Sequence, residues 1–460
     1  MHTKKKLDIV NGPMFSNVIR YILPLIASGY LGHLYHTADT AVIGQFEGPI
    51  ALAAMGATSS LYALIVTMCS GFATGVNVAA AQNYGAKDTD GIHKLLHTSV
   101  LISFFGGLFV AVFGFSLTPL FLTLLDTPAD VFPYAVTYLR ICFLGVPASM
   151  IYGFTAALLR AIGNTRTPLL FGSVSGLLNV ILNLVFVCLF HLGIAGVAWA
   201  TVISQYVSMG MILIYLVRLK DCCHLDFRKL KVYKDEFIRI IRISIPPTIS
   251  AIIYSMTKVV IQSALNSFDN AYVIAGSAAA REIDNYIYTA MISLSQAAMT
   301  FTGQMVGAKK VQRLHKVMLT CSATVMIIGL ITGTIAMVFA EPLLSIYVKD
   351  SPETVRYAID CMSIVATSYF IYGTMEVLVG CQQGMGSSFI PSVVSLIGGC
   401  GVRFFWVYAV FYAVPSVISL YLAYPVSWLI TGAAQFVFYI RTHKQFVRRF
   451  SESTQAAVTQ

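Results

Sequence analysis

Charge is what this sequence has least of. Asp, Glu, Lys and Arg make up 11% of its 460 residues, while 57% are hydrophobic. A soluble protein keeps roughly a quarter of its residues charged, so this chain could not cover its own surface in water. Metal and disulfide frameworks are missing as well. The nine cysteines, at 69, 142, 188, 222, 223, 321, 361, 381 and 400, include no C-x-x-C pair and mostly sit in apolar runs. They read as small buried hydrophobes. No G-x-x-x-x-G-K-[ST] loop occurs, and no soluble stretch is long enough for a nucleotide-binding domain. H-E-x-x-H is also absent, so neither an ATP-driven machine nor an enzyme is expected. The first apolar run is too long for a signal peptide and lacks a small-residue cleavage pattern, so the first span should remain in the mature protein.

What is abundant is long apolar segments. They recur over the whole chain at lengths of about 20 residues, enough for a helix to cross a ~30 Å hydrocarbon layer. They are too long, and alternate too little, for barrel strands. The fold class expected is all-α and polytopic, with twelve transmembrane helices near 17–41, 51–80, 94–124, 131–157, 168–190, 194–218, 239–266, 271–302, 317–347, 354–382, 389–412 and 416–441.

Of the 30 Lys and Arg, 24 fall at the N-terminus (Lys4, Lys5, Lys6, Arg20), in 87–94, 160–166, 218–242 and 309–316, and at the C-terminus, Arg449 included. The alternate loops hold Glu47, Asp126, Asp130, Asp269, Glu341, Asp350 and Glu353, with Lys349 and Arg356 as their cations. That asymmetry places both termini in the cytoplasm of a multi-pass plasma-membrane protein. The basic charge has no interleaved aromatics on one face, so nucleic acid is not an expected partner. The lipid bilayer and small organic molecules are, and the chain is expected to act as a monomer.

The two halves resemble each other. "QNYGAKDTDGIHK" from Gln82 matches "QMVGAKKVQRLHK" from Gln304 at an offset of 222, and "GNTRTP" from Gly163 matches "GSSFIP" from Gly386 at 223. Six helices per copy give both copies the same membrane orientation, so they should form two pseudo-symmetric bundles that can rock around a central cavity. The expected division is an N-lobe, 1–218, a cytoplasmic linker, 219–238, and a C-lobe, 239–460. In the Gly-Ala-Lys loops the glycine should end a helix while the lysine complements its dipole. A gating role on the cytoplasmic side is the alternative.

One acid stands out. Asp39 lies in the first span, where a carboxylate at a helix centre costs about 2.5–3.5 kcal/mol on insertion scales. A low-dielectric setting favours the neutral form of an acid, so such a group can exchange a proton for a cation. Tyr35, one turn earlier on the same face, could hydrogen-bond it. The plainer alternative is a solvated Asp near the outer helix end. His36, three residues before Asp39, and His33 could relay protons or simply be hydrogen-bonded. Asn179 and Asn183 share one face of the fifth span, and Thr201, Ser204 and Gln205 lie in the sixth. These amides could equally be interhelical glue.

The segments "ADTAVIG", "QNYGAK", "ALLRAIGNTRTP", "NVILNLVF", "GIAGVAWATVISQ" and "MEVLVG…GMG…P" occur here in one order, from about residue 13 to 441. In that order they resemble the multidrug and toxic compound extrusion (MATE) family. The resemblance implies two six-helix lobes in a V that export organic cations in exchange for H⁺ or Na⁺, with no other cofactor. It places Asp39 at the family's coupling aspartate, with Asn179, Asn183 and Thr201 in the polar cluster facing it. Many members carry a second aspartate where this chain has Asn183. Its amide oxygen can still coordinate a cation but cannot carry a proton, so Asp39 is left as the cluster's one carboxylate. Asp39, Asn179 and Asn183 are the residues that would hold Na⁺.

The second half carries its own charges: Lys258 in the seventh span, Arg281, Glu282 and Asp284 in the eighth, Glu376 in the tenth and Arg403 in the eleventh. One branch of the resembled family keeps acids in its seventh and tenth spans. Here "SAIIYSMTK" has none, and Glu376 falls only near the expected place. Buried charges in lipid normally pair, so Lys258 with Asp284, Arg403 with Glu376, or Arg281 with Asp284 are expected. The alternative is contact of Glu282 or Glu376 with a cationic substrate. A flippase for a lipid-linked anionic precursor, built on the same plan, is the competing function. Arg140, Lys258, Arg281 and Arg403, four cations inside spans, are what favour it.

Overall fold

Twelve long helices form over the twelve apolar runs: α1 (Met14–Phe46), α2 (Gly48–Gly85), α3 (Thr89–Leu124), α4 (Phe132–Ala161), α5 (Arg166–Leu189), α6 (Gly193–Arg218), α7 (Lys234–Asn266), α8 (Ala271–Gly307), α9 (Val311–Val338), α10 (Pro352–Gly384), α11 (Phe389–Phe411) and α12 (Val417–Val458). The structure is a computed structural model that describes residues 7–348 and 351–458, apart from the side chains of 256 and 449–458. Lys4, Lys5, Lys6, Lys349, Asp350 and the Arg449 side chain lie outside the described residues. Ten of the twelve helices are long and apolar enough to cross a membrane. The other two, α1 and α8, are those that carry Asp39 and the Arg281–Asp284 charges. Their polar load, not their length, sets them apart.

The repeat is visible in backbone geometry. In the first Gly-Ala-Lys loop Gly85 ends α2, Ala86 N–H reaches the Gln82 carbonyl at 3.0 Å, and Lys87 turns the chain at φ 57°. In the second, Ala308 N–H reaches Gln304 at 2.9 Å and Lys309 sits at φ 58°. In both copies the glycine ends the helix, and the lysine two residues on takes the left-handed conformation. Gly163 and Gly386 repeat each other too, at φ 87° and 86°. Asp88 then caps α3 by accepting from Gly91 N–H at 2.8 Å, which satisfies one free donor of its first turn.

Three helices are interrupted. In α4 the regular ladder lapses at Gly145, ahead of Pro147, which has no N–H to give. In α5 the pitch widens to a π turn over Val185–Leu189, beginning two residues after Asn183. In α11 it widens twice, over Ile397–Gly401 and Trp406–Phe411, on either side of Arg403. Such widenings recur at functional sites.

The helices pack into two compact units: Ala27–Thr248, and Leu7–Ile26 together with the chain from Ile249 onward. This departs from lobes of 1–218 and 239–460 in a regular way. The start of α1 groups with the second unit, and the linker and the start of α7 group with the first. The two boundaries lie one repeat offset apart. Pro24 in α1 and Pro246 and Pro247 in α7 stand beside them, where missing backbone donors let a helix bend.

Each transferred half-helix is bound where it lies. In the second unit Tyr21 hydroxyl meets Thr300 Oγ1 at 2.9 Å, and its ring stands edge-on to Phe301 at 5.4 Å. In the first unit Ser244 donates to the Phe72 carbonyl at 3.0 Å. Arg239 donates to Gln82 Oε1 and Asn83 Oδ1, each at 2.8 Å. The linker is tied down as well, with Tyr233 N–H on Thr98 Oγ1 at 3.0 Å. The outer helix faces stay apolar: Phe105, Phe109 and Val112 of α3 are 60–69% exposed, as a lipid-facing belt requires.

Candidate functional site

A polar cluster lies among α1, α5 and α6 of the first unit. Asp39 is 9% exposed, so it is not a solvated residue at a helix end. Asn183 donates its side-chain N–H to Asp39 Oδ1. The same amide also donates to Asn179 Oδ1 at 3.5 Å, and Asn179 Nδ2 donates to Thr201 Oγ1 at 3.3 Å. The order Asp39–Asn183–Asn179–Thr201 thus runs from α1 through α5 to α6. The i, i+4 spacing on α5 makes the chain continuous. Asn183 Oδ1 is buried and has no partner among the described residues. An unpartnered oxygen beside a carboxylate is a place for a proton-bearing or cationic guest, since a buried acceptor without a donor is costly.

Tyr35 does not reach the carboxylate. Its hydroxyl donates to the Ser173 carbonyl at 3.2 Å. Its ring lies so close over Gly176 that no Cβ would fit there. Glycine therefore sets how closely α1 approaches α5. Gln205, noted in the sixth span, and three residues not singled out from the sequence, Tyr62, Tyr138 and Cys142, complete the surroundings. Gln205 Nε2 donates to Tyr62 hydroxyl at 3.3 Å, and Gln205 Oε1 is a second buried oxygen without a partner among the described residues. Tyr62, Tyr138 and Cys142 lie within electrostatic reach of Asp39. The signal of these three in the sequence was too ordinary, two Tyr and one Cys inside apolar helices. His36 is exposed and His33 half-buried.

The second unit does not pair its charges as expected. Among the described residues the ion pairs are Lys94–Asp90, Lys229–Asp226 and Arg239–Glu236, all in the first unit. Arg403 is held instead by a hydroxyl and by aromatic faces. Its Nε donates to Ser427 Oγ at 3.0 Å, and its guanidinium lies 4.4 Å from the Tyr424 ring centre, 5.1 Å from Tyr254 and 5.9 Å from Trp428. Cation–π contact replaces the carboxylate. Arg281 donates to Gln262 Oε1 at 2.8 Å rather than pairing with Asp284. Lys258 is exposed, and the charged groups acting on it are Arg281 and Arg403, both cations. Asp284 is buried, feels Arg281 without pairing, and leaves Oδ1 without a partner among the described residues. Glu376 takes a hydrogen bond from Tyr372, and Glu282 lies within electrostatic reach of Tyr347. Arg140 is satisfied locally by the Phe115 carbonyl at 3.3 Å.

No group of three or more His, Cys, Asp and Glu fit to hold a metal occurs among the described residues. The nine cysteines are free thiols.

A family model described as MatE matches residues 24–185 and 246–409. A probable multidrug resistance protein of Bacillus subtilis (strain 168), YoeA, is 26% identical over 430 residues, 91% of this chain and 92% of its own length. A second protein from that strain, YpnP, also described as a probable multidrug resistance protein, is 25% identical over 449 residues, 97% and 100% of the two chains. The solved structure of a multidrug resistance MATE family transporter of the MOP superfamily, in an outward-facing conformation, superposes with a TM-score of 0.89 at 18% identity. The match covers 97% of this chain and 100% of that one.

Proposed function

This chain belongs to the MatE family, and on that premise we propose that it is an ion-coupled antiporter, not an enzyme, that exports small organic compounds. H⁺ or Na⁺ moves inward through the cluster at Asp39 while substrate moves outward. The two six-helix halves alternate access to a substrate site. The observation that carries this reading is the buried Asp39 carboxylate, bound by Asn183 and flanked by an unpartnered Asn183 oxygen. In the proton case Asp39 carries the charge and the amides orient it. In the sodium case Asp39 Oδ, Asn183 Oδ1 and Asn179 Oδ1 supply the hard oxygen ligands. Thr201 positions Asn179 in either case. Tyr35 acts through its grip on α5, which spaces α1 from the amides.

The same reading puts the protein in the plasma membrane with both termini in the cytoplasm, as a monomer. Support comes from the basic loops around the α2–α3 and α8–α9 turns and from the two complete six-helix copies within one chain. The test is substrate-induced ion release. Adding substrate to energised inside-out vesicles should release H⁺ or Na⁺, read with a pH or sodium dye, and Asp39→Asn should silence the signal. An unchanged signal in that variant would remove Asp39 from the coupling step.

The family resemblance favours cationic substrates. A second reading, transport of an anionic compound or of a lipid-linked anionic precursor, is favoured by a specific observation. Lys258, Arg281 and Arg403 lie together in the second unit with no ion pair among the described residues.

A further inference from the structure

The second unit contains buried donors that lack acceptors. Arg403 is 2% exposed and its Nη2 has no hydrogen-bond partner among the described residues. Trp428, whose ring lies 5.9 Å from the same guanidinium, is 4% exposed, and its indole N–H is likewise without a partner among them. Lys258 lies within electrostatic reach of Arg403 and of Arg281. Arg281 is fixed by Gln262, one turn beyond Lys258 on α7. An ammonium and a guanidinium on neighbouring helices inside an apolar span are costly unless they face a cavity or a partner. One acid, Glu376, is bound by Tyr372, whose ring lies 5.2 Å from that of Trp428, and no acid is among the charged groups acting on Lys258. Another is Asp284. It acts on Arg281, and its other charged or polar surroundings are Cys361 and Tyr369. Lys258 and Arg403 have no ion-pair partner among the described residues. Two orphaned N–H donors and these two cations all ask for the same thing, an oxygen with negative charge.

We propose that this group is an oxyanion site for the transported compound. A carboxylate or phosphate accepts hydrogen bonds from Arg403 Nη2 and Trp428 Nε1, while Lys258 and Arg281 supply charge. The rings of Tyr254, Tyr424 and Trp428 hold the guanidinium rigid, so little is lost in orienting it. The substrate class is then an organic anion or zwitterion. This rests on the reading of the chain as an exporter of organic compounds and adds the sign of its cargo.

The test is equilibrium binding to the purified protein in detergent, with no gradient, so a failure of ion coupling cannot move it. Carboxyfluorescein serves as the anionic probe and ethidium as the cationic one, both read by fluorescence anisotropy. Lys258→Gln, at an exposed position, and Trp428→Phe, which removes only the N–H, should each weaken the anionic dye about tenfold or more. Ethidium binding should not weaken in either variant. Displacement of the dye by inorganic phosphate supports a soluble anion as cargo. Displacement by phosphatidylglycerol but not phosphatidylcholine micelles supports a lipid headgroup at the same donors. Failure of wild type to bind the anionic dye, equal binding by both variants, or displacement by neither competitor would overturn the proposal.

Discussion

Asn183 on α5 donates its side-chain N–H to the Asp39 carboxylate on α1, a contact between residues 144 positions apart. Both are buried, and Asn183 is fully so. A hydrogen bond to a charged group contributes roughly 1.5–3 kcal/mol, and breaking it leaves the carboxylate unpaired in a dry setting. Asn183→Leu, of similar volume, should therefore lower the melting temperature in detergent by several degrees and cut gradient-driven efflux at least about tenfold. Wild-type melting and transport in this variant would show that Asp39 does not depend on the amide.

Gly176 and Tyr35 give a paired prediction. A methyl group at 176 would enter the space of the Tyr35 ring, and the ring is held by its bond to the Ser173 carbonyl. Gly176→Ala should push α1 from α5 and reduce efflux strongly. Tyr35→Ala in the same chain should restore part of it by making room. The double variant is informative because a loss caused by backbone strain would not be rescued by shrinking Tyr35. Gly176 has no left-handed φ, so the conflict is one of space.

Arg239 tests the transferred start of α7. Its two bonds, to Gln82 and Asn83, fasten this half-helix to the end of α2. Arg239→Ala should destabilise the protein by about 1–3 kcal/mol. It should also raise hydrogen–deuterium exchange in residues 234–248 more than in 249–266. Uniform exchange along α7 would show that the guanidinium does not hold the half-helix.

How much of this was legible beforehand depended on the kind of signal. Ten of the twelve runs were legible by length and hydropathy alone, and the two that carry the polar load, α1 and α8, by their place in the series. The repeat was legible because Gln82 and Gln304 head copies of one loop, which the structure shows as a shared lysine turn. Asn179 and Asn183 declared their common face by i, i+4 spacing. That Asp39 faces them was implied by the family resemblance, and in the structure Asn183 is the donor its buried carboxylate finds. Pairings across helices were less legible. Tyr35 had Asp39 one turn away on its own helix, yet a neighbouring carbonyl on α5 took its hydroxyl. Arg403 could have paired with Glu376, and no sequence rule signals that Ser427 and three aromatic rings would hold it. The exchange of half-helices had proline markers at Pro24 and Pro247, but a proline says where a helix can bend and not what it then packs against.

The most direct measurement of the central claim is efflux from proteoliposomes under separately imposed gradients of pH and of sodium. Wild-type protein should accelerate substrate release under one of the two inward gradients. Asp39→Asn, inserted at the same density, should give the same slow release with or without either gradient. Acceleration of that variant equal to wild type would contradict the assignment of coupling to Asp39.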